Sequence, residues 1–196
     1  MALTKQAKVL NPKMVESVLT YLSSSRYPVR NRLMFLLSVK AGLRAKEIAS
    51  ITWSMVLGPE GNFTEQLALD NSASKGTTGG RIVPLNKAVR ESLELHYQNS
   101  KRSKPDDRII QTERSYRVAP QTIVDTFAKW YKELGYDGCS SHSGRRTFIT
   151  NGARKVSTVG GSLRDVQILA GHSSLQTTQK YIEADSLAQS KLVELL

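Results

Sequence analysis

Cysteine and histidine are scarce in this chain of 196 residues, which has one cysteine, Cys139, and three histidines. A single thiol excludes an intrachain disulfide framework and a zinc site made of several cysteines, and it is typical of a reducing compartment. With so few imidazoles, no histidine-rich metal site is expected. Long apolar runs are missing too, since the longest, Leu33 to Leu37, is far too short to cross a bilayer. We therefore expect a soluble cytoplasmic protein with no metal and no membrane partner.

Acidic residues are the other class in short supply. Asp and Glu number 17 against 28 Lys and Arg, so the formal net charge is +11 and the isoelectric point is about 9.9. This excess favours a polyanionic partner, with nucleic acid ahead of a membrane surface. The length and the 39% of hydrophobic residues suffice for one cored domain. No proline-rich, low-complexity or repeated segment divides the chain, so residues 1–196 are interpreted as a single domain.

Apolar residues recur at helical spacing through most of the chain. The predicted helices cover residues 11–24, the segment between Pro28 and Gly42, and residues 44–51, 87–98, 120–134, 144–155, 163–170 and 177–183. Turn-forming residues separate three predicted short strands at 53–57, 65–69 and 81–85. The pattern predicts an α+β fold, mostly α, with a small three-stranded antiparallel sheet and an apolar-periodic tail at 187–196.

Two local patterns contain the residues best suited to chemistry. His142 and Arg145 stand three positions apart, so on a helix they share one face and can meet a single phosphate. In the second pattern His172 lies in a turn between two predicted helices, and Tyr181 follows nine residues later on the next helix. Two basic residues, one after Gly-Leu and one in a glycine-rich hairpin, complete the candidate set: Arg44 and Lys75.

Each candidate also has an ordinary structural interpretation. Taken alone, Tyr181 is a helix tyrosine with its hydroxyl at the surface, and His142 is a core or capping histidine. Arg44 can pair with Glu47 one turn later, and an exposed pair of that kind contributes only about 0.5 kcal/mol. Lys75 is typical of a solvated hairpin tip. The six residues therefore indicate a catalytic function as an ordered set and not individually.

With these six residues in the order that the family has them, the sequence resembles the catalytic domain of the tyrosine recombinases, the phage-integrase family of DNA breaking-and-rejoining enzymes. The resemblance runs from about Lys13 to Glu183 and includes the Gly-Leu-Arg, Arg-Ile-Val-Pro-Leu and Gly-His-Ser-Ser contexts. It implies a helical catalytic domain with a small sheet, double-stranded DNA as the partner, and no cofactor, neither metal nor ATP. It also implies a cytoplasmic, nucleoid-associated protein encoded by a bacterium, phage or mobile element.

The resemblance implies a catalytic role for each of the six residues. Tyr181 is the nucleophile that attacks a scissile phosphate, giving a 3′-phosphotyrosyl link and a free 5′-hydroxyl. Arg44 and Arg145 hold the non-bridging phosphate oxygens, for which planar guanidinium forks are suited. Lys75 protonates the leaving 5′-oxygen, as a mobile ammonium can.

His142 resembles the family's proton acceptor near the tyrosine, and His172 resembles its further donor to the phosphate. Glu47 matches a supporting acidic residue, which physically is a buttress for a helix-borne arginine rather than a base. Candidate DNA contacts are Arg146, Lys101 and Arg102, although the last two also suit a solvated basic linker.

The sequence departs from the family pattern at two points. Gly144 stands where the family usually has an aliphatic residue, and glycine weakens a helix interior by about 1 kcal/mol relative to alanine. We therefore expect the helix to begin nearer Arg145. Most members also carry a DNA-gripping core-binding domain before the catalytic one, and that domain is expected to be absent here. The chain is then either a natural minimal recombinase or a fragment of a longer integrase.

Three functions remain open at the level of sequence. The first is a site-specific recombinase or integrase that acts as a homo-oligomer, a tetramer on DNA, with residues 187–196 exchanged between protomers. The second is a non-catalytic DNA-binding accessory protein at recombination sites. The third is a nicking-closing topoisomerase of the type IB kind, which shares the tyrosine chemistry but rejoins the same strand.

Overall fold

The computed structural model describes residues 6–70, 80–100, 104–113, 115–182 and 193–194. The mostly helical α+β class is confirmed. The elements in chain order are α1 (Pro12–Ser23), α2 (Pro28–Val39), α3 (Ala45–Ser50), β1 (Gln66–Leu69), β2 (Arg81–Pro84), α4 (Lys87–Gln98), α5 (Pro120–Glu133), α6 (Ser143–Lys155), α7 (Leu163–Ala170) and α8 (Leu175–Gln179), with 3₁₀ turns at Trp53–Met55 and Val156–Val159. Within these residues, no helix combines the length and the apolar character needed to span a membrane.

Helix α2 is the central helix of the fold. It packs against α1, α3, α4 and α6, and every residue from Leu33 to Val39 is buried. A helical stretch that is buried on all sides, as this one is, is expected only inside a core. The chain leaves α2 through Gly42, whose φ of +66° is favourable for glycine, and an added Cβ there would lie 2.4 Å from the Phe148 ring. This tight turn places Arg44 directly before α3.

The sheet has two strands in the described residues, so the prediction of three was wrong. β1 and β2 pair antiparallel with Leu67 opposite Val83, whereas the predicted first strand contains a 3₁₀ turn. Its backbone donors bond locally, from Met55 N to Thr52 O and from Val56 N to Trp53 O. The Trp53 side chain is fully buried and packs edge-on against other aromatic rings. Burial of this indole therefore determines the conformation of the segment.

Helix α6 begins at Ser143, so the expectation of a start nearer Arg145 was wrong. A Cβ added at Gly144 would lie 2.4 Å from the Ser38 Oγ on α2. Glycine therefore allows α6 to approach α2 closely, and this packing outweighs its low helix propensity. His142 sits immediately before the helix, at the N-cap position.

Helix α8 is shorter than predicted and ends at Gln179. Ser174 caps its start by accepting a hydrogen bond from Thr177 N. Tyr181 consequently follows the helix rather than lying on it, which corrects the prediction of a helix over 177–183. Its backbone nitrogen donates to Thr178 O at 3.0 Å, and its ring packs on a small apolar cluster that includes Ile149 and Val166.

Candidate active site

An open pocket of about 370 Å³ lies where the N-terminal segment, the start of α6 and the end of α8 meet. Four of the residues singled out in the sequence line it: His142, Arg145, Arg146 and Tyr181. Gln6, Ser140, Thr177 and Lys180 complete its polar lining. Arg44, Glu47 and His172 are linked to this group through the contacts below, whereas Lys75, Lys101 and Arg102 lie outside the described residues.

Arg145 is held in place by main-chain carbonyls from two other parts of the fold. Only 3% of its surface is exposed. Its Nη1 donates to Gly42 O at 2.5 Å, and its Nη2 donates to Ala170 O at 2.6 Å. Burial lowers the pKa of the Arg145 guanidinium to about 9, and nearby Arg44 acts in the same direction while Glu47 opposes it. Arg145 therefore remains a cation at neutral pH.

Glu47 is the acceptor on which the other guanidinium groups converge. Its carboxylate is buried, with 1% exposure. The Arg44 main-chain nitrogen donates to Glu47 Oε2 at 2.7 Å, and Arg44 Nη1 donates to Oε1 at 2.9 Å. These bonds cap the N-terminus of α3, where a negative charge is favourable. The pair is thus partly buried, and the alternative of an exposed surface ion pair does not describe it.

Arg81 is a component of this cluster that the sequence analysis missed. Its Nη1 lies 3.0 Å from Glu47 Oε1 and its Nη2 lies 3.1 Å from Oε2. Nη1 also donates to Ala170 O at 3.0 Å. The sequence signal for Arg81 was its position at the start of the Arg-Ile-Val-Pro-Leu segment. That segment predicted a strand, and no role in the site was assigned to Arg81.

His172 and Tyr181 lie against each other with their rings stacked. The ring centroids are 5.5 Å apart and the planes are inclined by 23°. His172 Nδ1 lies 2.9 Å from Thr178 Oγ1, which fixes the orientation of the imidazole. Burial lowers the pKa of His172 to about 4, with further contributions from the surrounding arginines, so the ring is neutral at pH 7. The Tyr181 carbonyl in turn accepts a bond from Thr150 Oγ1 at 3.3 Å.

Arg146 lines the same pocket and lies beside the Tyr181 ring. Its guanidinium carbon lies 5.8 Å from the centroid of the Tyr181 ring, and Nη1 donates to the Gln6 side chain. The His142 carbonyl accepts a hydrogen bond from Arg146 N at 2.8 Å. His142 and Arg145 both line the pocket, as expected for residues three positions apart at a helix start.

A model of the phage integrase family matches residues 8–187 of the sequence. The chain belongs to this family. The resemblance drawn from the ordered residues is therefore confirmed, and the match includes every element described above.

Named relatives of this phage integrase family member are tyrosine recombinases. XerA of Pyrococcus horikoshii is 25% identical over 206 residues, covering 96% of this chain and 67% of that protein. XerC of Rhizobium meliloti is 30% identical over 168 residues, covering 85% of this chain and 48% of that protein. The chain thus spans about half to two thirds of the length of these relatives.

Solved structures show the same fold. One structure of the Tn1549 transposon integrase, solved in complex with a circular intermediate DNA, has a TM-score of 0.77 and 20% identity; the match covers 98% of this chain and 67% of that one. The crystal structure of XerA recombinase gives a TM-score of 0.73 and 19% identity, with coverages of 97% and 65%. At these identities the likeness establishes the fold.

The charges of the cluster do not balance among the described residues. Arg44, Arg81 and Arg145 supply three positive charges, Glu47 supplies one negative charge, and His172 is neutral. This excess in a largely buried setting suits an anion, and the planar forks of arginine match the oxygens of a phosphate. No group of three or more His, Cys, Asp or Glu side chains in the described parts of this family member is placed to hold a metal ion.

Proposed function

We propose that this chain carries the catalytic centre of a site-specific DNA recombinase or integrase and cleaves DNA through Tyr181. The observation that carries the proposal is the meeting of Tyr181 and Arg145 in one open pocket, backed by a cluster with surplus positive charge. Family membership and the fold support the same conclusion. Solved relatives in complex with DNA, among them XerH bound to its difH substrate, support double-stranded DNA as the partner.

The proposed reaction is a transesterification at phosphorus. The Tyr181 phenolic oxygen forms a bond to the scissile phosphorus, and the bond from phosphorus to the 5′-oxygen breaks. The phenolic proton passes to His142, and Lys75 gives a proton to the leaving 5′-oxygen. The resulting 3′-phosphotyrosine conserves the phosphodiester bond energy, so attack by a 5′-hydroxyl reverses the step without ATP.

Hydrogen-bond donors that are already in place stabilise the negative charge on the phosphate oxygens. Arg145 is cationic at neutral pH, and Arg44 is the most exposed of the three arginines in the cluster. His172 is neutral, so it takes part as a neutral hydrogen-bond donor rather than as a cation. Donors fixed before the reaction stabilise developing charge without reorganisation, which is why no metal is included in the proposed mechanism.

Strand exchange between two duplexes requires four cleavages, and we therefore propose a tetramer on DNA in the cytoplasm. Residues 187–196, proposed as the segment exchanged between protomers, lie outside the described residues apart from 193–194. Lys101, Arg102 and Arg146 are the proposed additional DNA contacts. For Arg146, the support is that it lines the pocket and that its guanidinium carbon lies 5.8 Å from the centroid of the Tyr181 ring.

The test is covalent capture on a nicked suicide duplex, with a substrate pool drawn from the DNA that flanks the gene. Wild type and Tyr116→Phe, which alters an exposed tyrosine, should form an adduct that survives a denaturing gel. Tyr181→Phe should bind the same DNA and form none, and an adduct with that variant would contradict the assignment. Binding without any adduct would indicate an accessory protein, and supercoil relaxation without exchange would indicate a nicking-closing topoisomerase.

A further inference from the structure

Arg81 connects three separate parts of the active-site cluster. It begins β2, contacts the Glu47 carboxylate on α3, and donates to the Ala170 carbonyl at the end of α7. We propose that Arg81 is a positioning residue for DNA cleavage, whose two-pronged guanidinium holds these elements so that Arg44 and Arg145 face one phosphate. This inference rests on the proposed function.

Arg81 shares each of its acceptors with an arginine assigned to the phosphate. Glu47 accepts from both Arg81 and Arg44, and the Ala170 carbonyl accepts from both Arg81 and Arg145. A displacement of either acceptor would therefore move a catalytic guanidinium. Because catalysis depends on atomic positions to within fractions of an ångström, such a displacement affects rate more than affinity.

The surroundings of Arg81 indicate a supporting role rather than a phosphate contact. Unlike Arg145, Arg81 is not among the described residues that line the pocket, and its side chain is 10% exposed against 25% for Arg44. Burial lowers the pKa of Arg81, and Glu47 counteracts this effect.

The turn after α7 is shaped to admit the Arg81 side chain. Gly171 has a φ of +60°, and a Cβ added there would lie 2.4 Å from Arg81 Nη1. Only glycine meets both conditions without strain. The Gly171 carbonyl faces Arg44 Nη2 at 3.5 Å, and His172 follows directly. Arg81 thus supports the turn that presents the candidate phosphate donor His172.

Lysine cannot reproduce these contacts. Arg81 reaches both oxygens of Glu47 and the Ala170 carbonyl with two nitrogens held in one plane. A lysine ammonium keeps the charge but is a single point on a flexible stem. The proposal therefore predicts that Arg81→Lys forms the covalent adduct more slowly than wild type. A purely electrostatic role predicts that Arg81→Lys forms it at the wild-type rate.

The experiment measures DNA binding and covalent adduct formation on the nicked suicide duplex for Arg81→Lys, Arg81→Gln and a matched control. The control is Arg26→Gln, which removes an arginine from the exposed pair with Glu113. Both Arg81 variants should bind DNA as wild type does and form the adduct about tenfold to a hundredfold more slowly. The control should match wild type in both assays. Arg81→Lys cleaving at the wild-type rate would overturn the proposal; this variant also serves if Arg81→Gln does not fold.

A second measurement separates this proposal from the proposed function. If wild type forms no adduct, the proposed function fails, and the NMR signals of the imidazoles in DNA-free protein still test Arg81. Arg81→Lys should shift the His172 signals because the turn loses its anchor while the charge stays. His96, which lies 2.8 Å from Ile109 O elsewhere in the fold, should keep its signals. Unchanged His172 signals in folded Arg81→Lys would refute the inference.

Discussion

Replacing Glu47 with glutamine should destabilise the fold far more than an ordinary loss of one surface charge. Glu47 is 1% exposed and receives hydrogen bonds from Arg44 and Arg81. An amide keeps the shape but removes the negative charge and turns one acceptor into a donor that faces cations. The arginines would then remain clustered without their carboxylate.

The size of the expected stability loss in Glu47→Gln follows from the free-energy cost of leaving buried positive charge uncompensated. Breaking a buried ion pair by removing one partner typically costs about 3–5 kcal/mol, a large share of the roughly 5–15 kcal/mol by which domains are stable. We expect Glu47→Gln to lose stability in this range. Inorganic sulfate should restore part of the loss, since an anion bound to the native cluster stabilises it by mass action.

The assay is urea denaturation of wild type, Glu47→Gln and Glu113→Gln, with and without sulfate at constant ionic strength. Glu113 is the matched control because its side chain is 61% exposed and pairs with Arg26 at the surface. Such pairs contribute about 0–1 kcal/mol. Equal losses for the two variants would refute the view that Glu47 is the counter-charge of the cluster.

Two further predictions concern packing and protonation. Gly144→Ala should lower stability by about 1–3 kcal/mol in urea denaturation despite its better helix propensity, because the new methyl would lie 2.4 Å from Ser38 Oγ; a gain in stability would contradict the close contact. His172 has a native pKa of about 4 against 6.5 for an ordinary histidine, so between these values the unfolded state binds more protons and stability falls as the pH is lowered. His172→Gln should reduce this fall, and an unchanged pH dependence of unfolding would contradict the neutral assignment.

Helices were largely predictable because their signals are local. Asn11 accepts from Met14 N and Pro12 occupies the first turn, as the sequence indicated for α1. The burial of α2 from Leu33 to Val39 is likewise visible in its dense apolar run. Each of these features depends on neighbours within a few positions along the chain.

The errors arose where distant contacts decide the local conformation. Trp53 belongs to a segment of apolar residues that reads as a strand, yet its ring is buried against Phe63 and Tyr97. Its main-chain nitrogen donates to Asp107 O. Gly144 likewise reads as a weak point in a helix until Ser38 on α2 is placed beside it. Neither partner can be inferred from local spacing.

The sequence by itself determined the helical class, the basic charge and the identity of the residues that resemble the family's catalytic set. Those properties depend on composition, period and order. Only the tertiary structure decided that Arg81 joins Glu47 and Ala170, because their contact links positions 34 and 89 residues apart. It also decided the neutral state of His172, since burial and neighbouring arginines set that pKa. The order of residues along the chain identified the candidate site residues, and packing determined their relative positions and protonation states.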